Sequence, residues 1–310
     1  MSLEVQTAPH KAIICLLAYP AKHSLSPLIH NTAFERCGLP YFYTIFETPP
    51  QSIQNAVLGI RALGIKGASV SMPHKQSVMQ YLDELSASVL LVGAVNTINA
   101  VDGKLIGFNT DGAGFIGALK DRGINIDGAK LVIAGSGGAG RGIIAQAALS
   151  GVKQIAVFNR KSQNYAETLQ LISRLEKLSS AELTLYDIED KTSFYDEISS
   201  ADIFANATSV GMKEDRSIVE DFSIFHKELT VFDSVYNPIE TALLKGAKSA
   251  GCMTVNGVEM LLHQGAEQFS IWTGAPFPLE FVKPLLFPEE GHKEHEKSVY
   301  LKPPYNHSKP

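Results

Sequence analysis

The apolar run Lys130–Gly135 leads straight into "GSGGAGRG" (Gly135 to Gly142), then into a helical pattern that lasts to Ser150, then into a second apolar run, Gln154–Arg160. Strand, glycine-rich turn, helix and strand in this order predict a βαβ unit with parallel strands. Within it, Gly135, Gly137 and Gly140 keep the G-x-G-x-x-G spacing. Glycines there allow a tight turn and the close approach of a pyrophosphate, whose charge meets the amides at the helix N-terminus. A turn that binds nothing would spell the same letters, but the flanking elements favour a dinucleotide. Gly135, Ser136, Gly137, Gly138, Ala139 and Gly140 are therefore the candidate cofactor loop. Further apolar runs at Glu182–Tyr186, Ile203–Ala205, Thr230–Asp233 and Met253–Val255 would complete a doubly wound sheet.

The end of the second strand selects the dinucleotide. An acid there would bond the adenosine ribose and favour NAD. The chain instead reads Asn159-Arg160-Lys161-Ser162. Arg160 and Lys161 can pair with a 2′-phosphate, and no carboxylate stands in the motif to repel it, so NADP is favoured and NAD remains possible. Arg160 stacked on adenine with Lys161 in solvent would leave the choice open.

A chain of 310 residues, 45% of them hydrophobic, exceeds the size at which one core usually divides, so two domains are expected. The formal charge of −5, without a long basic run, gives no electrostatic drive toward nucleic acid or an anionic membrane, and the expected partners are small molecules. Cys15, Cys37 and Cys252 are too few and too scattered for a disulfide framework or a zinc site. No run approaches a membrane span, and Met1 to Lys11 lacks the order of a signal peptide, so a cytoplasmic protein, monomer or homodimer, is expected.

Before the glycine loop, strands are predicted at Ala12–Leu17, Tyr41–Phe46 and Ala68–Met72, with helices at Pro27–Cys37 and Gln51–Leu63. Asp102-Gly103 marks a hairpin. "NTDG" then opens a helix, with Asp111 placed either to cap it or to face a cleft. Lys75 follows a strand end in "SVSMPHK", a usual location for reacting groups, and Asn96 in "AVNTI" can both donate and accept. Hydride exchange at a carbonyl needs a proton donor, and a lysine near a carboxylate serves. Each residue alone has a plainer explanation: a surface charge, a helix cap, a turn. His23, His30, His74 and His263 show no metal-ligand spacing and are expected to be structural or rim residues; no metal is expected.

From about Leu16 to Lys283 the chain resembles the shikimate dehydrogenase family, most of all its quinate/shikimate dehydrogenase branch. The motifs stand in the family's order: "AYPAKHSLSPLIHN", "SVSMPHK", "AVNTI", "NTDG", "GSGGAGRG", "NRK", "NATSVGM", "DSVYNP" and "LLHQGAEQF". The resemblance implies an N-terminal α/β substrate domain, residues 1–112 completed by helices at about 258–288. A Rossmann-type dinucleotide domain would span 113–257, and 289–310 reads as a mobile tail. It further implies reversible oxidation of the C3 hydroxyl of shikimate or quinate. Lys75 and Asp111 would be catalytic. Ser24 and Ser26 would bind the substrate carboxylate, while Asn96, Asp111 and Gln264 would read ring hydroxyls, with Ser71 and Tyr236 beside them. Asn159, Arg160, Lys161, Ser209, Val235 and Gly257 would join the glycine loop around the cofactor, Gly257 by letting it approach the backbone.

The chain departs from the family's pattern in two places. Ser69 and Ser71 stand where the biosynthetic branch carries Asn and Thr, a shortening that would admit the extra hydroxyl of quinate. Ser162 stands where the quinate/shikimate branch often has Asp. The expected function is thus a bifunctional quinate/shikimate dehydrogenase. The alternatives are a dedicated NADP-linked shikimate dehydrogenase and a sensing homologue that binds such acids without turnover, and retention of Lys75 with Asp111 argues against the last.

Overall fold

The computed structural model of the chain describes residues 11–287; the segment expected to be a tail lies outside them. Two six-stranded sheets stand side by side, each with helices on both faces. The first half contains β1 (Ala12–Ala18), α1 (Ser26–Arg36), β2 (Tyr41–Glu47), α2 (Ile53–Ala62), β3 (Gly67–Val70), β4 (Glu84–Leu85), α3 (Ala87–Val92), β5 (Thr97–Val101) and β6 (Lys104–Phe108). Its sheet has the order β2-β1-β3-β5-β6-β4 and is mixed: β1 runs parallel to β2 and β3, whereas β5 is antiparallel to β3 and β6. Asp102 and Gly103, with φ of 50° and 79°, close the β5–β6 hairpin. β3 ends at Val70, two residues earlier than its sequence suggests, because His74 N–H turns back to the Ser71 carbonyl.

The second half begins with α4 (Asp111–Asp121) and continues through β7 (Lys130–Ala134), α5 (Gly138–Leu149), β8 (Gln154–Asn159), α6 (Gln163–Leu175), β9 (Glu182–Asp187), α7 (Lys191–Ser199), β10 (Ile203–Asn206), β11 (Thr230–Asp233), α8 (Ala242–Ser249) and β12 (Met253–Val255). All its strand pairs are parallel, in the order β12-β11-β10-β7-β8-β9. This is the doubly wound Rossmann order, with the direction of winding reversing between β7 and β10. The ligand crevice of such sheets lies at that switch point, beyond the carboxyl ends of the strands. The glycine loop between β7 and α5 sits there.

The chain then returns to the first half. α9 (Gly257–Thr273) starts in a capping box formed by Asn256 and Glu259 and buries Val258, Leu262, Phe269 and Trp272 against β1, α1 and α10 (Leu279–Leu286). Trp272 Nε1 donates to the Ile98 carbonyl of β5 at 2.9 Å, which ties the helix to the sheet. α9 also crosses α4 closely. A Cβ on Gly114 would meet Gln264 Cβ at 2.7 Å and the Met260 carbonyl at 2.8 Å, so the glycine sets the helix separation. That crossing brings Gln264 to the start of α4.

Candidate active site

The residues singled out around Lys75 converge. Lys75 Nζ donates to Asp111 Oδ2 at 2.6 Å, with the lysine side chain 17% and the aspartate 6% exposed. The N-cap of α4 is Thr110, so Asp111 occupies the first turn and turns its carboxylate to Lys75 instead of capping. The positive end of the helix dipole supports the anion there. Asn96, 1% exposed, donates from Nδ2 to Asp111 Oδ1 at 3.0 Å and to Thr110 Oγ1 at 2.9 Å, while its Oδ1 accepts from the Thr110 amide at 2.9 Å and from Thr97 Oγ1 at 2.8 Å. Its first task is therefore to orient Asp111. Gln264 donates to the Leu261 carbonyl at 2.9 Å and holds Oε1 3.4 Å from Asn96 Nδ2.

These groups line one cleft of about 420 Å³ between the two halves, along with Ser24, Ser26, Ser71, Gly137, Gly138, Ala139, Ser209, Val235, Tyr236 and Gly257. Ser24 Oγ donates to Ser26 Oγ at 3.2 Å, so the two hydroxyls form one polar cluster at the start of α1. Ser71 lines the cleft and its hydroxyl has no hydrogen-bond partner among the described residues. Ser69 behaves differently. It accepts from Tyr43 Oη at 2.7 Å and donates to Gln268 Oε1 at 2.8 Å, while Gln268 Nε2 donates to the Asn96 carbonyl at 3.2 Å. The room expected beside a shortened residue 69 is thus filled by Tyr43 and Gln268, and only Ser71 leaves an uncommitted hydroxyl. Sequence reasoning missed both Gln268 and Tyr43. Gln268 was detectable, because it lies one helical turn after Gln264 on the same face of α9.

At the switch point the glycine loop has the form a pyrophosphate requires. A Cβ on Gly140 would meet the Gly135 carbonyl at 2.2 Å, which packs α5 tightly on β7, whereas the same vector on Gly137 meets nothing within 4 Å. The loop is therefore closed toward the sheet and open toward the cleft, the shape that fits a dinucleotide phosphate. Asn159 Nδ2, at the end of β8, is buried without a partner, which leaves a donor for a ribose or phosphate oxygen. Two members of the expected set act otherwise. Ser136 is fully buried, its Oγ accepting from Thr168 of α6 at 2.6 Å, so only its backbone can meet a ligand. Gly257 lines the cleft, but the space of its missing side chain is filled by the chain itself, 2.5 Å from the Ser234 carbonyl, so internal packing requires the glycine.

The strand end also differs from its reading in sequence. Arg160 is exposed and has no ion-pair partner among the described residues. Lys161 pairs with Asp187 at 3.2 Å. An acid is present after all, supplied by the end of β9, whose Asp187 stands opposite Asn159 in the register.

Two buried groups frame the site. His30, stacked on Tyr43 with ring centroids 4.6 Å apart, has its pKa pushed down to about 3 by burial. Asp233, at the end of β11, accepts from Thr241, Asn206 and the Val235 amide, yet burial raises its pKa to about 6. His74 is held by the Thr48 carbonyl at 2.6 Å and His263 by Asp121 at 3.3 Å. No group of three or more His, Cys, Asp or Glu that could hold a metal ion occurs among the described residues. Nor, among them, is any helix long and apolar enough to cross a membrane.

A mixed α/β half faces a Rossmann half across a polar cleft, with a lysine–carboxylate pair on one wall and a dinucleotide loop on the other; together they define a nicotinamide-dependent oxidoreductase. Comparison with known proteins narrows the class. The model of the shikimate dehydrogenase substrate binding domain matches residues 16–98, and that of the shikimate 5'-dehydrogenase C-terminal domain matches residues 257–287. The chain is 46% identical over 276 residues to a quinate/shikimate dehydrogenase of Escherichia coli O139:H28, covering 88% of this chain and 96% of that relative. A crystal structure of shikimate 5-dehydrogenase from Listeria monocytogenes with shikimate and NAD matches at a TM-score of 0.83 and 43% identity, over 91% of this chain and 98% of that one. The Thermus thermophilus enzyme, in complex with NADP(H) and shikimate, matches at a TM-score of 0.77 and 31% identity, over 89% and 98%. The chain belongs to the shikimate dehydrogenase family.

Proposed function

We propose that this protein reversibly oxidises the C3 hydroxyl of shikimate, and also of quinate, to the 3-dehydro acid. The observation that carries the reading is the Lys75–Asp111 pair, sequestered at 2.6 Å in the cleft that the glycine loop also lines. A surface charge and a helix cap would not be brought together there. Ser24 and Ser26 bind the substrate carboxylate by their paired hydroxyls. Ser71, Tyr236 and Gln264 contact ring hydroxyls, and a site built of such groups rejects acids that lack them. Lys75, as the neutral amine, takes the proton from the reacting hydroxyl in oxidation and, as the ammonium so formed, returns it in reduction, while Asp111, fixed by Asn96, orients the Lys75 nitrogen. The nicotinamide cofactor, when bound, accepts or supplies the hydride.

Gly135 to Gly140 hold the pyrophosphate by backbone amides, and Asn159 and Arg160 meet the adenosine ribose. NADP is the preferred cofactor, because Arg160 is a free cation at the strand end while Asp187 is already paired with Lys161. Ser209 and Val235 border the nicotinamide side. The substrate domain comprises residues 1–112 with the helices of about 258–288, and the dinucleotide domain residues 113–257. Its partners are small molecules in the cytoplasm. Quinate joins shikimate as substrate because Ser71 is small and its hydroxyl uncommitted.

Nicotinamide absorbance in four mixtures, shikimate or quinate with NAD or NADP, tests the assignment. Turnover of both acids, faster with NADP, is expected. Turnover of neither acid with either cofactor would overturn it, and turnover of shikimate alone would reduce it to the dedicated biosynthetic enzyme.

A further inference from the structure

Arg141 is among the largest fully buried side chains of the molecule, 2% exposed, and the reaction as described gives it no role. It stands in the first turn of α5, directly behind the glycine loop, its amide bonded to the Gly137 carbonyl at 2.9 Å. Its guanidinium reaches across to the other half. Nε donates to the Val92 carbonyl at 2.8 Å and Nη2 to the Gly93 carbonyl at 3.4 Å, the carbonyls at the end of α3. The remaining arm pairs with Glu167 of α6. That carboxylate also accepts from Gln76 Nε2 at 2.8 Å, and Gln76 is the residue after Lys75.

The two arms end on the same few residues. The α3 terminus leads through Ala94 and Val95 to Asn96, and the Val95 amide donates to the Lys75 carbonyl at 2.7 Å. So an ion pair rooted entirely in the dinucleotide half grips the segments bearing Lys75 and Asn96 from two directions. A buried cation is costly to keep unless well-placed partners satisfy it, and here the two α3 carbonyls and Glu167 do so. The Lys75 stem, moreover, lies against Gly138, its Cδ 3.3 Å from where a Cβ would stand.

We propose that Arg141 and Glu167 are positioning residues, which couple the setting of the glycine loop to the placement of Lys75, through Gln76, and of Asn96, through the end of α3. The proposal rests on Lys75 being the proton-transfer group.

Removing Arg141 would empty a buried site and take the donor from the Val92 carbonyl, which endangers folding, so the test acts on Gln76, whose side chain is exposed. Gln76→Ala, Gln76→Glu and Gln76→Lys are compared with wild type for kcat, single-turnover hydride-transfer rate, KM of shikimate and of NADP, and melting temperature. Misplacement of a reacting group by about 1 Å can cost on the order of 10²-fold. Gln76→Ala should lower the hydride-transfer rate roughly tenfold on that scale, and Gln76→Glu, which sets two carboxylates together, further. Gln76→Lys, which restores a donor to Glu167, should stay near wild type, and neither KM nor melting temperature should follow this order. Hydride-transfer rates that ignore the charge at residue 76, or a loss confined to the KM of NADP, would overturn the proposal. Lys75→Ala is measured in parallel. If it abolishes turnover while the Gln76 series is flat, the positioning role alone fails; if it leaves turnover intact, the assignment of Lys75 fails and the positioning role with it.

Discussion

Replacing Lys75 by Met keeps the stem and removes the ammonium, which separates what the pair does for the fold from what it does for the reaction. The lost partner stood 2.6 Å from a carboxylate that is 6% exposed. Breaking a buried pair by deleting one member costs about 3–5 kcal/mol. Here Asp111 keeps its bond from Asn96 and the N-terminus of α4, and the lysine side was 17% exposed to the cleft, so the low end of the range applies, about 3 kcal/mol. Turnover should fall by ~10²–10⁴, the contribution of a positioned proton donor, with shikimate affinity much less affected. Adding Asp111→Asn removes the stranded charge while keeping an acceptor for Asn96. Stability should then return to within about 1 kcal/mol of wild type, whereas turnover should not return at all. Urea unfolding, initial rates of nicotinamide reduction and calorimetric titration of shikimate read the three quantities. A single variant within tenfold of wild-type turnover, or a double variant that regains activity along with stability, would refute acid-base catalysis by Lys75.

Arg160→Ala should lower catalytic efficiency with NADP about tenfold or more, since a charge-assisted hydrogen bond contributes about 1.5–3 kcal/mol, and affect NAD less; equal losses would mean that Arg160 only stacks on adenine. Ser162→Asp should move preference toward NAD by adding a carboxylate near the ribose, and an unchanged NADP-to-NAD ratio would contradict that placement of the residue. His30 governs a pH effect. With its folded pKa near 3 against 6.5 unfolded, only the unfolded chain takes a proton between these values, so its stabilisation is present above pH 6.5 and is lost as pH falls, by about 2 kcal/mol at pH 5. Asp233 acts oppositely: with a folded pKa near 6 against 3.8, its contribution is fullest at low pH and is lost as pH rises through that window. His30→Phe should therefore remove the acid sensitivity and leave stability level or rising from pH 7 to pH 5; denaturation curves as acid-sensitive as wild type would show that His30 is not its source.

How much of this was legible depends on whether the cause was local. β11 falls where the sequence places it, because a parallel strand covered on both faces reads as a nearly continuous apolar run. α7 escaped, since Phe194 and Ile198 are its only buried residues and a single i, i+4 pair leaves no periodic signal. α3, six residues long, is too short to show one. The same division runs through the site. The glycine loop is written in consecutive letters, and its βαβ setting could be read directly. The Lys75–Asp111 contact spans 36 residues, so its parts were visible only as motifs until the β5–β6 hairpin and the start of α4 returned the chain to β3. The saturated hydroxyl of Ser69 depends on Gln268, 199 residues away, and no local pattern could report it. Asp187 makes the point most sharply. Read along the chain, the strand ending at Asn159 carries cations and no acid; read across the sheet, the β8–β9 register puts an aspartate beside that end, where it pairs with Lys161. On the proposed reading, cofactor choice at this edge thus depends on residues of two neighbouring strand ends, and Arg160, the cation left without a carboxylate, is the one through which the chain can favour a phosphate.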